Sequence, residues 1–269
     1  MVTVHPGESI GEVATLKVFF YMANFIPWKD YFFYCLDKLV EDFNLASPFL
    51  DVGCGSGELS SYLASKGWYG KAIDISDIAI TNAKRNLLPF QQIVIEKKNL
   101  FEEDGVYNTI FVWDVIEHIH NDEIFLAKIV SLLPPHGYVS FSVPNNLNEW
   151  RWDDDYYGHI RRYTTDELQQ KLFDAGLKPL ILWDVSYPFF WVMRRLYTRL
   201  KSPPEYIDSE KSIRTENSTA TNAWDIPVIS NLLNRRHSLW RILYYIQFRY
   251  FRKKTESGNE LFVLAEKIE

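Results

Sequence analysis

Three glycines and two carboxylates are the residues of this chain best placed to do chemistry. Asp51 stands two residues before the run Gly53-Cys54-Gly55-Ser56-Gly57, and Asp74 follows 21 residues after Gly53. A glycine-rich turn between a strand and a helix aims backbone N–H groups and a positive helix end at a ligand, and the missing side chains let that ligand come close. Such a turn reads as a cradle for a nucleotide-like molecule. The spacing is G-x-G-x-G rather than G-x-G-x-x-G, and an anion at 51 repels a pyrophosphate while attracting a cationic amino or sulfonium group. Asp74, ending the next strand, can accept hydrogen bonds from both hydroxyls of a ribose. A glycine turn beside an incidental surface aspartate is the plain alternative, and the predicted strand before each element argues against it.

Two histidines are candidates for proton transfer. His118 sits in Glu117-His118 just past a predicted strand, and His159 lies in Asp153-Asp154-Asp155-Tyr156-Tyr157-Gly158-His159-Ile160-Arg161-Arg162-Tyr163. An imidazole with its ordinary pKa of about 6.5 can take a proton from a hydroxyl near neutral pH. The competing readings are structural: His118 orients a helix start, and Arg161 and Arg162 pair with Asp153–Asp155 to brace a loop. No ligand spacing supports a metal site built from His159 and the three aspartates, so no metal is expected.

These residues need a scaffold to hold them. Between about residues 47 and 185, short β-branched runs alternate with helical stretches, the pattern of a parallel sheet covered by helices. The runs at 48–52, 70–75, 92–97, 109–113, 138–143 and 180–185 read as strands, with 260–267 as a last one. Ser76, Asn121 and Thr164 can cap helices, Glu167 completing a capping box with Thr164. Gly67, Pro89, Pro134-Pro135 and Gly176 stop them, and residues 145–163 read as a polar, aromatic loop.

With those elements in place, Leu50-Asp51-Val52-Gly53-Cys54-Gly55-Ser56-Gly57, Asp74 and Trp113-Asp114-Val115-Ile116-Glu117-His118-Ile119 resemble the class I S-adenosylmethionine-dependent methyltransferases. Within them the chain is similar to the ubiquinone-biosynthesis-like group of small-molecule enzymes, over roughly residues 45–185 and the last strand. The resemblance implies an α/β fold, a doubly wound seven-stranded, mostly parallel sheet with its last strand antiparallel. It implies that Asp51 and Gly53 lie near the methionine moiety of S-adenosylmethionine, that Asp74 binds the ribose, and that Cys54, Gly55, Gly57 and Ile75 also belong to the cofactor site. Asn99 and Leu100 would border the adenine, and Trp113 the sulfonium. Asn99 stands where relatives commonly carry Asp, and its carbonyl can accept the same adenine bond. Gly158-His159-Ile160-Arg161-Arg162-Tyr163 resembles a segment recurrent in bacterial relatives. The Asn-Pro-Pro-Tyr-like motif of the base-modifying branches is absent from the end of the fourth strand, so that chemistry is not carried over.

Composition bounds the rest. The chain has 269 residues, 47% hydrophobic and 24% charged, which excludes disorder as its main state, and a net charge of −6 argues against nucleic-acid binding by bulk electrostatics. Its cysteines are Cys35 and Cys54, and Glu8 and Glu12 interrupt the start, so a reducing, cytoplasmic setting without a secretory signal is expected. The most apolar windows, 19–26 and 187–193, fall far short of the roughly 20 residues that cross a bilayer. Residues 186–256 hold 13 Lys and Arg against 6 Asp and Glu, a net +7, while the remainder carries −13. Three parts are therefore expected: an aromatic N-terminal helical lid (1–45, with Tyr21, Phe25, Trp28 and Tyr31), a cofactor-binding core (46–185 and 259–269), and a basic, aromatic helical insertion (186–258). In the insertion, Arg241, Arg249 and Arg252 share a helical sector of about 80° and most other positions are apolar. That suits packing over the substrate, a peripheral membrane contact, or a homodimer.

The expected activity is methyl transfer to a small or lipid-linked acceptor, most simply at oxygen. Its rivals are a cofactor-binding pseudo-enzyme that works as a partner-binding module and a nicotinamide-dependent oxidoreductase, the latter disfavoured by Asp51 and the short glycine spacing.

Overall fold

A computed structural model describes residues 26–201 and 237–269. Seven strands, β1 (Phe49–Val52), β2 (Gly70–Asp74), β3 (Ile93–Lys97), β4 (Thr109–Trp113), β5 (Tyr138–Pro144), β6 (Leu177–Asp184) and β7 (Glu260–Lys267), form one sheet in the order β3-β2-β1-β4-β5-β7-β6. The first five run parallel. β7 is antiparallel to both β5 and β6, so the expected last strand is wedged between them. Eight helices are described: α1 (Pro27–Asp42), α2 (Glu58–Ser65), α3 (Asp77–Asn86), α4 (Asp122–Ser131), α5 (Trp152–Tyr157), α6 (Thr165–Asp174), α7 (Phe189–Leu200) and α8 (His237–Phe251).

Strand alternation decides which helix covers which face. Leu50, Val52, Ile110 and Val112 pack with Phe125, Leu126 and Ile129 of α4 and Leu168 and Leu172 of α6. Phe49 and Phe111 point the other way, against Leu59 and Leu63 of α2 and Ile80 and Ala83 of α3. On that second face Phe262 and Leu264 of β7 meet Tyr31, Phe32 and Leu39 of α1, Phe190 of α7, and Trp240 and Tyr244 of α8. The sheet is doubly wound, as expected.

Local signals set the helix ends. Ser76 Oγ accepts from Ala79 N–H at 3.2 Å, Asn121 Oδ1 from Ile124 N–H at 3.1 Å, and Thr164 Oγ1 from Glu167 N–H at 3.2 Å. Gly67 and Gly176, at φ +88° and +87°, close α2 and α6. Two elements differ from expectation. Residues 145–163 contain α5, because Asp153, Asp154 and Asp155 fill a helix's first turn and the Asp154 carboxylate accepts the Arg151 N–H at 2.8 Å. β6 starts three residues early, since Pro179 sits on an edge strand beside a bulge, where a missing N–H costs no ladder bond.

The N-terminal part contributes α1, whose Tyr31, Phe32, Cys35, Leu36 and Leu39 face the protein; Tyr21 and Phe25 lie outside the described residues. From the basic segment, α7 and α8 pack on the same face. Tyr244 Oη donates to Pro27 O at 2.9 Å, and Gln247 Nε2 to Val185 O at 2.7 Å. Arg241 and Arg249 are exposed, but so are Leu239, Ile242, Tyr245 and Tyr250. No helix among the described residues is long and apolar enough to cross a membrane.

The sheet order reverses at β1 and β4, where a parallel sheet opens a crevice outside the strands' carboxyl ends. Gly53–Gly57 follow β1 and Asp114–His118 follow β4. The residues picked out by type and spacing therefore meet at one edge.

Candidate active site

The glycine turn is shaped by conformations that side chains resist. Gly53, Gly55 and Gly57 have φ of +69°, +53° and +76°. A Cβ on Gly53 would lie 2.5 Å from Val115 Cγ2, and one on Gly57 would lie 2.8 Å from Leu87 Cδ1. Val115 thereby seats the end of β4 directly against the turn. The Gly55 N–H donates to Asp74 Oδ2 and the Ser76 N–H to Asp74 Oδ1, both at 2.9 Å. Asp74 is thus fixed by backbone, and each oxygen keeps a lone pair for a further donor such as a ribose hydroxyl.

Asp51 is 3% exposed, and its Oδ2 accepts from Ser60 Oγ at 2.7 Å. Burial pushes its carboxyl up to about 7, against the Ser60 bond and with help from the Asp74 charge. Cys54 is buried too. Burial and the charges of Asp51 and Asp74 raise its thiol far above the ordinary range, which makes it an inert packing residue.

Around the turn the surface becomes apolar. Ile75 is 68% exposed and Phe101 48% exposed, whereas Leu100 is buried in the core. Asn99 is exposed and its Oδ1 accepts the Phe101 N–H at 3.0 Å, capping the 3-10 turn Leu100–Glu102. Phe101, not singled out in the sequence, is the side chain of this pair available to a flat base. Trp113 is anchored by its Nε1–H on Ser140 Oγ at 3.1 Å, and its ring packs on Phe32 of α1 and Phe262 of β7. It joins the aromatic layer beneath α1.

Both histidines lie past β4, their ring centroids 5.1 Å apart. His118 ends the 3-10 turn Ile116–His118, and its Nδ1 faces Gly158 O at 3.2 Å, so that nitrogen carries a proton. Burial, then the neighbouring His159, lowers its pKa to about 4, leaving it neutral near pH 7 with Nε2 unprotonated. His159 Nδ1 faces Asp154 Oδ1 at 2.9 Å. Glu117 lies between them, its Oε1 3.8 Å from His159 Nε2 and 4.0 Å from His118 Nε2. Burial and the charge of Asp114 raise its carboxyl well above the ordinary range, and neither oxygen has a hydrogen-bond partner. Asp114, at φ +53°, accepts from Ser142 Oγ, and buried Glu260 lies close enough to Asp114 and Glu117 to be raised by them after burial.

The braced loop is real, with a different division of labour. Arg162 pairs with Asp154 at 2.7 Å, but Arg161 pairs with Asp122 at 2.6 Å. The sequence pointed to Asp51, Asp74, the glycines and both histidines. It gave no hint of Ser60, Phe101, Glu260 or Arg194, whose partners are remote or depend on which face of an element they occupy.

A methyltransferase-domain family model matches residues 31–181, more than half of the chain. Ubiquinone biosynthesis O-methyltransferase of Rickettsia felis is 32% identical over 124 residues, covering 43% of this chain and 50% of the relative. The Pasteurella multocida enzyme of the same name is 33% identical over 116 residues, covering 38% and 48%. The chain spans about half the length of these curated relatives. Among solved structures, the Burkholderia thailandensis 1,6-didemethyltoxoflavin-N1-methyltransferase is 15% identical at a TM-score of 0.53, over 99% of this chain and 94% of that one. A [4+2]-cyclase is 16% identical at 0.52, over 86% and 79%, so the shared fold alone does not fix the reaction. The matched model, the glycine turn with its two aspartates and the sheet order agree: the chain belongs to the methyltransferase-domain family, the S-adenosylmethionine-dependent class I enzymes that its motifs resemble.

Proposed function

We propose that this chain binds S-adenosylmethionine in the cradle formed by Asp51, Gly53–Gly57, Asp74, Ile75 and Asn99, and transfers its methyl group to a hydroxyl oxygen of a small or lipid-linked acceptor. What supports this reading is the pairing of His118 and His159, their rings 5.1 Å apart, in and beside the turn that follows β4, whose Val115 abuts the glycine turn. The acceptor oxygen forms a bond to the methyl carbon as the carbon–sulfur bond breaks, S-adenosylhomocysteine leaves, and the hydroxyl proton passes to His159 Nε2. Holding donor and acceptor in line at about 3–3.5 Å supplies most of the acceleration. An imidazole is far better matched to a phenol than to an aliphatic alcohol, so a phenolic acceptor is favoured. The relatives named for O-methylation support oxygen as the acceptor atom. Residues 27–42 and 189–200 would roof the acceptor side, and the exposed apolar residues of α8 suit a lipid-borne acceptor.

Label transfer from methyl-labelled S-adenosylmethionine tests this, with catechol and a simple aliphatic alcohol as probes beside a lipid extract. Methylated oxygen in the extract or catechol, lost in His159→Gln, is expected; product methylated at nitrogen or carbon alone would sink the reading.

One observation favours a second way of activating the acceptor. Glu117, His118 and His159 bring ligand atoms within 4.8 Å of one another, and both Glu117 oxygens are buried without partners. Two imidazoles and a carboxylate are a donor set for a divalent cation such as zinc. Held there, the ion would polarise the acceptor oxygen. Metal analysis of the purified chain and loss of activity in a chelator, restored by a divalent ion, would favour it; full activity without metal would remove it.

A further inference from the structure

Arg194 stands on α7, in the basic segment that the sequence sets apart from the cofactor-binding core, yet its guanidinium is turned inward and it is 8% exposed. Its Nε and Nη2 grip the Asp153 carboxylate at 2.7 and 2.6 Å, Nη2 also reaches Asp154 Oδ2 at 2.8 Å, and Nη1 donates to Glu149 O at 3.0 Å. Asp154 is the centre of the arrangement. Its Oδ2 takes Arg194 and the Arg151 N–H, while its Oδ1 takes Arg162 and His159 Nδ1.

Two buried arginines face two buried aspartates, so the cluster is neutral only when both carboxylates are ionised. Burial opposes the Asp154 anion, but the His159 N–H and the two guanidinium groups outweigh it and hold the carboxyl below its usual range. A carboxylate only accepts, so His159 Nδ1 must donate, and Nε2 is the nitrogen turned toward Glu117 and His118. The contacts from α7 form a stripe. Arg195 pairs with Glu149 while stacking on Trp191, and Thr198 O accepts from Trp152 Nε1 at 2.9 Å. With Arg194 they hold residues 149–154 to the helix.

We infer that Arg194 is a positioning residue for His159: by clamping Asp153 and Asp154 from α7, it fixes the His159 ring with the proton on Nδ1 and Nε2 directed into the active site. The basic segment is then part of the catalytic apparatus, and His159 is aligned only when α7 is docked. Bidentate geometry matters here, because a lysine has the charge but not the fork. The role given to Nε2 rests on the proposed methyl transfer, whereas the ring's tautomer does not.

The test reads the tautomer directly, without any acceptor. The full chain, labelled with 15N-histidine and saturated with S-adenosylhomocysteine, is examined by long-range proton–nitrogen correlation, with His159 assigned through His159→Gln. The wild type is expected to show His159 protonated at Nδ1. Arg194→Met is expected to free Asp154 from its place, so that the ring loses its fixed contact with Oδ1 and its two nitrogen shifts draw together as both tautomers populate, and Asp154→Asn, whose amide can donate, to favour Nε2–H. Arg195→Met, which removes only the Glu149 pairing and the Trp191 stack, should keep the wild-type signal. Affinity for S-adenosylhomocysteine should stay within about twofold, because the glycine turn is not contacted; should Arg194→Met not fold, Arg194→Lys gives the same reading. With the catechol probe, the Arg194 variants should lose about tenfold or more in kcat with KM little changed. A wild-type ring protonated at Nε2, or a folded, cofactor-binding Arg194 variant with the wild-type tautomer, would overturn the inference. A wild type that methylates no oxygen would instead strike the proposed function and leave the tautomer result standing.

Discussion

Protonation of Asp51 should govern how tightly the chain holds S-adenosylmethionine. Burial raises this carboxyl from the ordinary 3.8 to about 7, so in the free protein much of it is a neutral acid below neutrality. A neutral acid offers little to a sulfonium or ammonium group. With only the ionised form binding, the apparent Kd varies inversely with the ionised fraction. Between pH 7.0 and 5.5 that fraction falls from about one half to about one thirtieth, and Kd should rise about fifteenfold. The cofactor's α-amino group, with an ordinary pKa near 8, stays mostly protonated over this range. Calorimetric titration at several pH values measures the effect and should also show proton release on binding near pH 6.5. Asp51→Asn should bind weakly with no such slope. Stability of the free protein runs the opposite way. The folded chain keeps a proton that the unfolded Asp51 has released, so this group's contribution is full below about pH 4 and is lost as pH rises through about 7. A wild-type Kd constant from pH 5.5 to 7.0, or the same slope in Asp51→Asn, would refute the reasoning.

Asp74→Ala should weaken S-adenosylmethionine binding by about 1–3 kcal/mol, through the lost ribose acceptor and a loosened Gly55 N–H; calorimetry showing unchanged affinity would contradict the assignment. Gly53→Ala should impair cofactor binding even with Val115→Ala beside it, because the second change relieves the 2.5 Å approach and leaves the φ of +69°. Recovery of wild-type affinity in the double variant would show that crowding alone was at stake. Phe262→Ala should cost about 3–5 kcal/mol in denaturant unfolding, since its buried ring joins α1 to the sheet through Phe32 and Trp113. A loss under about 1 kcal/mol would mean that the aromatic layer collapses to fill the space.

What the sequence made legible was local. Ser76, Asn121 and Thr164 cap helices through bonds spanning three residues, and the β1 turn announces itself by glycine spacing. The cofactor-side residues follow, because a parallel sheet forces them to its carboxyl edge. What stayed hidden depends on partners distant in the chain. The pairing of Arg162 with this acidic run was legible, but Asp153 and Asp154 are also gripped by Arg194, which comes from another helix. Glu117 drew no reading of its own beside His118, and only the fold buries it between two histidines and near Glu260. Phe101 and Leu100 are neighbours of one character, and a single 3-10 turn decides which is exposed. Residues 202–236 of the basic insertion lie outside the described residues.

The most direct measurement is calorimetric titration of the purified chain with S-adenosylmethionine, S-adenosylhomocysteine and NADH at pH 7. The account predicts saturable binding of both sulfur nucleotides, weakened in Asp51→Asn and Asp74→Ala, and no heat from NADH. Binding of NADH without the sulfur nucleotides, or no binding of either sulfur nucleotide by a folded chain, would contradict it.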